Sequence, residues 1–385
     1  MDDARPNSDL DLAVAEAEAR YRAANPLSEK SYEQASIALP GGDTRSVLYF
    51  SPFPLTWASG AGAKLRDLDG HGYTDFLGEY TAALYGHSHP VILAAVTDAL
   101  KDGIVLGGPN RYQGLLAAEI SRRFPSLEQL RFCNSGTEAN LLALSTARAI
   151  TGRSTILVFE GGYHGSLLYF GRHEPPINAP LPVVKAPYND IAGTLRLIEL
   201  HGKDLAAAII EPMQGSAGCI PADREFLQTL RDACDRHGIV LIFDEVMTSR
   251  LSPGGRQAEL GIIPDMTTLG KYLGGGLSFG AFGGKRHLMA RFDPSRADAI
   301  PHGGTFNNNV LSMAAGLAGL TKVLSPEAIA EVNNRGDRLR AQLNAAAAKR
   351  GLPVKATGVG SLIGLHFARS DIRSPADLVT DDAGQ

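Results

Sequence analysis

Lys271 sits in Thr267-Thr268-Leu269-Gly270-Lys271-Tyr272-Leu273-Gly274-Gly275-Gly276, an apolar and glycine-rich setting, whereas most lysines lie solvated on helix faces. Desolvation and a neighbouring cation both depress an amine's pKa, so a lysine placed there can form a Schiff base with a carbonyl and later move protons as a free amine. Asp244 ends the apolar run Ile239 to Phe243, where a carboxylate is costly unless a cation or hydrogen-bond donors meet it. A protonated heterocyclic nitrogen would be such a cation; an ordinary strand-end aspartate is the other reading. Ser135-Gly136-Thr137 stands between an apolar run and a helix that starts near Glu138. Hydroxyls and backbone N–H groups at the positive end of a helix dipole suit a dianion. Phosphate is the natural guest, and a plain helix cap is the alternative for the same triplet.

Such groups act together only if the elements carrying them end near one another. Leu130 to Cys133, Thr155 to Phe159, Ala206 to Ile210 and Ile239 to Phe243 are short apolar runs separated by helical stretches such as Ala139 to Ile150 and Phe226 to His237. Near-continuous apolar strands alternating with helices predict an α/β fold, a largely parallel sheet covered on both faces. The runs end in polar or glycine-rich residues: Asn134-Ser135-Gly136-Thr137, Glu160-Gly161-Gly162-Tyr163-His164, Glu211-Pro212 and Asp244-Glu245. Open α/β sheets bind ligands outside the carboxyl ends of their strands, so these ends propose one site. An aspartate there that keeps a ring nitrogen protonated is the main electronic lever a protein has on pyridoxal phosphate. The loop Gly303-Gly304-Thr305-Phe306-Asn307-Asn308-Asn309 can add a hydroxyl to a phosphate, or simply turn and cap a helix beginning near Val310. Gly86-His87-Ser88-His89-Pro90 holds two close histidines, but no further ligands at zinc-like spacing accompany them, and Pro90 reads as a helix start.

Towards the N-terminus the chain predicts an arm. Leu10 to Ala24 has helical character stopped at Asn25-Pro26, and Ser28 to Leu39 reads as a second helix ended by Pro40-Gly41-Gly42. Lys64 to Leu68 and Tyr73 to Leu77 flank Asp69-Gly70-His71-Gly72, a turn composition for a β-hairpin. Leu362 to Phe367 reads as a late strand. With 385 residues, 44% hydrophobic, 20% charged and a net charge of -4, the chain has ample core and no electrostatic bias towards nucleic acid or an anionic membrane. Met1 to Leu10 carries Asp2, Asp3 and Asp9 rather than a basic start and an apolar run, and no stretch approaches the roughly 20 apolar residues that span a bilayer. Cys133, Cys219 and Cys234 form neither a C-x-x-C pair nor an even framework. Together these features predict a cytoplasmic, reduced setting without a structural metal.

Taken together, the motifs resemble the fold type I, class III aminotransferases, and within them the glutamate-1-semialdehyde aminomutase branch. The resemblance runs from about Ser31 to the strand near Phe367. Asn134-Ser135-Gly136-Thr137-Glu138-Ala139-Asn140 is similar to that family's phosphate loop, Gly162-Tyr163-His164-Gly165 to its ring-stacking element, and Phe243-Asp244-Glu245-Val246 to its pyridine-nitrogen element. The resemblance implies pyridoxal 5'-phosphate as cofactor, carried by Lys271, with its phosphate at Ser135, Gly136 and Thr137, its ring between Tyr163 and Val246, and its nitrogen on Asp244. By the same resemblance Thr305 reaches the phosphate of the neighbouring subunit in a homodimer. The implied organisation is residues 1–78 as arm and hairpin of a small domain, 79–320 as the large cofactor-binding domain, and 321–385 as the start of an incomplete C-terminal small domain, since family members continue well beyond Phe367.

The stretch Pro40-Gly41-Gly42-Asp43-Thr44-Arg45-Ser46-Val47-Leu48-Tyr49-Phe50-Ser51-Pro52-Phe53-Pro54 resembles the β-phenylalanine aminotransferases, in which the arginine matching Arg45 holds the substrate carboxylate. Aminomutases usually place their arginine later after the Pro-Gly-Gly turn, where this chain has Leu48, and commonly carry Asn where Ser216 stands. The expected activity is therefore transfer of an amino group from an aromatic β-amino acid to a 2-oxo acid such as 2-oxoglutarate or pyruvate, with Arg45 clamping the carboxylate bidentately. The alternatives are an isomerase moving the amino group within glutamate-1-semialdehyde, which needs no external acceptor, and a cofactor-binding protein without catalysis.

Overall fold

The computed structural model describes residues 8–368 and 370–378, which fall into two compact units. The first holds the described residues up to Tyr80 together with Gly86–His89; the second holds Thr81–Tyr85 and the described residues from Pro90 onwards. No described helix is long and apolar enough to cross a membrane.

In the first unit, helix α1 (Ser8–Ala24) is followed by α2 (Pro26–Ser36). Pro26 does more than stop the first helix: it opens the second, where its missing N–H costs nothing. Asp69, expected only as a turn residue, accepts from Leu27 N at 2.7 Å and from Ser28 N at 3.0 Å, and so caps that helix start. Strands β1 (Trp57–Ala61), β2 (Lys64–Asp67) and β3 (Gly72–Thr74) form an antiparallel sheet in that order. The expected hairpin is β2–β3, shorter than its apolar pattern and joined by a third strand. Buried Asp67 anchors its turn, accepting from Tyr73 Oη at 2.8 Å and His71 N at 2.8 Å. His87, half of the histidine pair, meets Asp75 through Nε2 at 2.9 Å.

The second unit begins with α3 (Pro90–Leu100) and α4 (Arg111–Arg123), then alternates: β4 (Gln129–Cys133), α5 (Gly136–Thr151), β5 (Thr155–Phe159), β6 (Val183–Ala186), α6 (Ile191–His201) and β7 (Leu205–Ile210). The short ribbon β8 (Met213–Gln214) and β9 (Ile220–Pro221) leads to α7 (Arg224–His237), β10 (Val240–Asp244), α8 (Gly255–Leu260), β11 (Met266–Gly270) and β12 (Gly280–Gly284). The chain then continues through α9 (Arg286–Met289), α10 (Val310–Ala318) and α11 (Pro326–Lys349) to the hairpin β13 (Val354–Val359) and β14 (Leu362–Phe367).

Seven strands form one sheet in the order β4-β12-β11-β10-β7-β5-β6. The pairs β10–β11, β7–β10, β5–β7 and β5–β6 are parallel, and only β12 runs against its neighbours. The period of two along each strand fills both faces: Leu157, Phe159, Leu241 and Phe243 pack with Ile198, Leu227 and Leu230 on one side. Ile156, Val158, Ile209 and Ile242 pack with Ala139, Ala143 and Ala147 of α5 on the other. Burial on both faces is what an uninterrupted apolar strand requires. Because the carrying strands run parallel, Ser135, Glu211, Asp244 and Lys271 all follow carboxyl ends on one edge of the sheet.

Candidate active site

At the end of β4 the chain turns into α5 through a reciprocal cap. Ser135 Oγ accepts from Glu138 N at 3.1 Å, while Glu138 Oε2 accepts from Asn134 N at 2.8 Å. That cap directs the first N–H groups of a helix of 16 residues towards the sheet edge. Across from it, the segment after β5 folds back on itself, with Phe170 N donating to Gly162 O at 2.8 Å and His164 N to Leu168 O at 2.8 Å. Gly165 makes the approach possible: its φ is +116°, and a Cβ there would lie 2.1 Å from Thr137 Oγ1. Contacts at two further glycines bring in β10 and β11. A Cβ on Gly136 would lie 3.0 Å from Val246 Cγ1, and one on Gly270 would lie 3.3 Å from that same atom and 3.5 Å from Gly136 N. Gly136, Thr137, Val246 and the residue preceding Lys271 therefore share one place. Lys271 is half-buried and left-handed, with φ +55°, a conformation that a non-glycine residue adopts at a cost and that recurs at functional sites.

Asp244 is 4% exposed and accepts three hydrogen bonds. Its Oδ2 accepts from Asn140 Nδ2 and from His164 Nδ1, both at 2.8 Å, and its Oδ1 accepts from Val246 N at 3.0 Å. Asn140 is held in turn by Thr268 Oγ1, which donates to its Oδ1 at 2.6 Å, and Asn140 also donates to His164 O at 3.0 Å. The neighbouring Glu245 points away and ties the scaffold together. It accepts from Arg256 N at 2.6 Å, Gln257 N at 3.0 Å and Thr248 Oγ1 at 3.0 Å. Alternation along a strand thus gives one carboxylate to the site and the other to the fold.

A positive helix end, an oriented carboxylate and an amine on three adjoining elements are the donor set of a phosphorylated heterocyclic aldehyde. Residues 50–383 match the family model described as aminotransferase class-III. The chain belongs to the class-III aminotransferase family. It is 52% identical to the beta-phenylalanine transaminase of Variovorax paradoxus, over 97% of this chain and 86% of that protein. The solved structure of a beta-phenylalanine aminotransferase from the same organism superposes with a TM-score of 0.94 at 52% identity, covering 97% of this chain and 86% of that one. A glutamate-1-semialdehyde 2,1-aminomutase of Methanosarcina acetivorans is 38% identical over 93% of this chain and 87% of its own length.

As a class-III aminotransferase the chain is an enzyme whose cofactor is pyridoxal 5'-phosphate. The residues present fit that group: the cradle at Gly136 and Gly165 leaves no room for side chains where a phosphate would meet the helix end, and Asp244 is aimed by three donors at the same edge. Tyr163 is 43% exposed, with its ring 5.8 Å from that of Tyr169, and Val246 is half-buried beside Gly136. Thr305 is exposed. Two residues on, Asn307 Oδ1 accepts from Asn134 Nδ2 at 3.1 Å, which links its loop to the turn at Ser135. Arg45 belongs to the first unit, where Nη1 meets Glu79 Oε1 at 2.6 Å.

Reading the sequence assigned no role to Asn140, Thr268, Glu211 or the imidazole of His164. Asn140 carried a usable signal, since it interrupts the otherwise apolar face formed by Ala139, Ala143, Leu144 and Ala147, and a buried amide there must be answered by partners. Glu211 is 5% exposed. Burial is the first cause that raises its carboxyl; His164 opposes this, the charge of Asp244 reinforces it, and two N–H bonds oppose it, leaving it pushed up to about 7.

Proposed function

We propose that this enzyme moves the amino group of an aromatic β-amino acid, of the β-phenylalanine kind, to a 2-oxo acid such as 2-oxoglutarate or pyruvate. The observation that carries this reading is the 52% identity to a beta-phenylalanine transaminase along nearly the whole chain, against 38% to the aminomutase. Bound pyridoxal phosphate supplies a carbonyl for the donor's amine and a ring that withdraws electrons from the bond being broken.

The chain's own residues do the rest. Ser135, Gly136 and Thr137 hold the phosphate through hydroxyls and helix-end N–H groups, and Tyr163 and Val246 cover the two faces of the ring. Asp244, oriented by Asn140 and His164, keeps the ring nitrogen protonated. Lys271 carries the cofactor, and its Nζ moves the proton of the donor's amine-bearing carbon. Arg45 takes the donor's carboxylate in a bidentate grip. Thr305 serves the phosphate of a second copy in a homodimer, and the free thiols Cys133, Cys219 and Cys234 suit a reduced cytoplasm.

A panel of amino donors with and without added 2-oxo acid tests the reading. Aromatic β-amino acids should be consumed only when 2-oxoglutarate or pyruvate is present, and Lys271→Ala should lose both turnover and the visible absorbance of the bound cofactor. Conversion of glutamate-1-semialdehyde without any acceptor would replace transfer by isomerisation, and turnover by Lys271→Ala would remove the lysine from its role.

A further inference from the structure

Glu211 has no part in the scheme above, yet it immediately follows the carboxyl end of β7, the strand paired directly with β10. A carboxylate taken out of water needs compensation. Its compensation is local: Oε1 accepts from Tyr163 N at 2.9 Å and Oε2 from Gly215 N at 2.9 Å. Tyr188 Oη donates to the carbonyl of Glu211 at 3.0 Å and fixes its backbone. The same carboxylate feels His164 and Asp244. His164 gives Nδ1 to Asp244 at 2.8 Å, while its Nε2 is buried without a hydrogen-bond partner.

We propose that Glu211 is a positioning residue of the cofactor site: its two oxygens fix the backbone at Tyr163 and Gly215, and its charge reinforces Asp244 in holding a cation at the strand ends. The titratable groups around it are His164 from the turn after β5, Asp244 from β10, Tyr188 from the approach to α6, and Cys219 from the turn before β9. With its carboxyl pushed up to about 7, Glu211 is neutral on the acid side and adds a second negative charge beside Asp244 as pH rises through neutrality. A cation held at the site is then bound more firmly, not less.

The inference rests on the placement of the cofactor against Asp244 and Lys271 proposed above, and the experiment separates the two. Holoenzyme is prepared unsubstituted and as Glu211→Gln and Glu211→Asp; bound phosphate gives cofactor content, and the visible band is titrated with pH, with no turnover required. Glu211→Gln is expected to retain cofactor while the midpoint at which the bound cofactor loses its proton falls by about half a unit, and Glu211→Asp, which keeps the charge, to restore most of that shift. An unmoved midpoint in fully loaded Glu211→Gln overturns the role of Glu211 alone, whereas an unsubstituted holoenzyme without a visible band overturns the cofactor placement. If Glu211→Gln fails to fold or load, infrared difference spectra of unsubstituted holoenzyme labelled with carboxyl-13C glutamate decide the matter. A carboxylate band present above neutrality in the unsubstituted protein, and missing from Glu211→Asp, is expected; a carboxyl that stays protonated into alkaline pH overturns the proposal.

Discussion

Arg45 Nη1 lies 2.6 Å from Glu79 Oε1, and its guanidinium lies 5.9 Å from the centre of the Tyr80 ring. The guanidinium proposed to grip a substrate carboxylate therefore already holds one. The backbone at Glu79 and Tyr80 is left-handed, with φ +50° at each, so the pair sits on a segment that pays conformational strain to be there. Both partners are about half exposed, at 45% and 52%, and such pairs contribute little to stability, on the order of 0.2–1 kcal/mol. If Arg45 serves the substrate as proposed, a substrate carboxylate would displace Glu79 at that small cost. Glu79→Gln is accordingly expected to lower the KM for a β-amino acid by about 1.4- to fivefold, the same energy expressed as a ratio, with kcat unchanged. An unchanged or higher KM would show that Glu79 does not compete with substrate for Arg45. At this scale the two partners differed in legibility. Arg45 was singled out through the resemblance of the stretch from Pro40 to Pro54 to the β-phenylalanine aminotransferases. Glu79 was not, because an acid in an irregular loop has no periodicity to betray its partner.

Between elements, Asp265 plays the part that Asp244 plays in the site. It precedes β11, accepts from Leu241 N of β10 at 2.8 Å, and pairs with Arg231 of α7 at 2.8 Å and with Lys285, just past β12, at 2.5 Å. Burial raises its carboxyl, but Arg231, Lys285 and the Leu241 N–H together outweigh that and hold it below the ordinary aspartate value. A depressed carboxyl stabilises the fold at pH values above its unfolded pKa and ceases to do so as pH falls through its folded one. Asp265→Asn should thus cost about 3 kcal/mol at neutral pH, seen as a lower urea midpoint, with the gap to the unsubstituted protein closing below about pH 4. A gap that persisted unchanged into acid would assign the loss to packing instead of charge. The same region marks the limit of reading strands from sequence. β4, β5, β7 and β10 stood out as apolar runs, whereas β6, β11 and β12 were not foreseen. Met266-Thr267-Thr268-Leu269-Gly270 carries buried threonines whose hydroxyls are answered by Ser126, Gln257 and Asn140, so its polarity disguised a central strand. Gly280-Ala281-Phe282-Gly283-Gly284 has little apolar bulk because its neighbours press close: a Cβ on Gly280 would lie 2.2 Å from Ser135 O. Tertiary contact, which no local pattern encodes, decided both.

Over the whole molecule, the second unit exposes large apolar side chains that its own core does not use. Ile104, Val105 and Leu106 are 49%, 77% and 50% exposed, and Leu93, Leu115 and Phe306 are exposed as well. The loops bearing Ile104 to Leu106 and Phe306 are tied together: Asn110 Nδ2 donates to Asn308 O at 2.7 Å, and Asn308 Nδ2 donates to Gly108 O at 3.0 Å. Thr305 rides on that same loop, exposed, and among the described residues no bond joins it to Ser135, Gly136 or Thr137 of its own chain. An exposed apolar set beside an exposed hydroxyl is what a second copy would cover and use. In the proposed homodimer, burial of this surface and completion of the phosphate site are one event. Sedimentation is then expected to give close to twice the 40.8 kDa chain mass. Val105→Glu, which places a charge in the apolar set, should shift the equilibrium towards monomer and release cofactor in parallel, whereas Thr305→Ala should weaken cofactor retention with the dimer intact. A fully active species sedimenting at 40.8 kDa would sink the dimer, and cofactor retention unaffected by Thr305→Ala in a stable dimer would sink the shared phosphate site while leaving the interface in place.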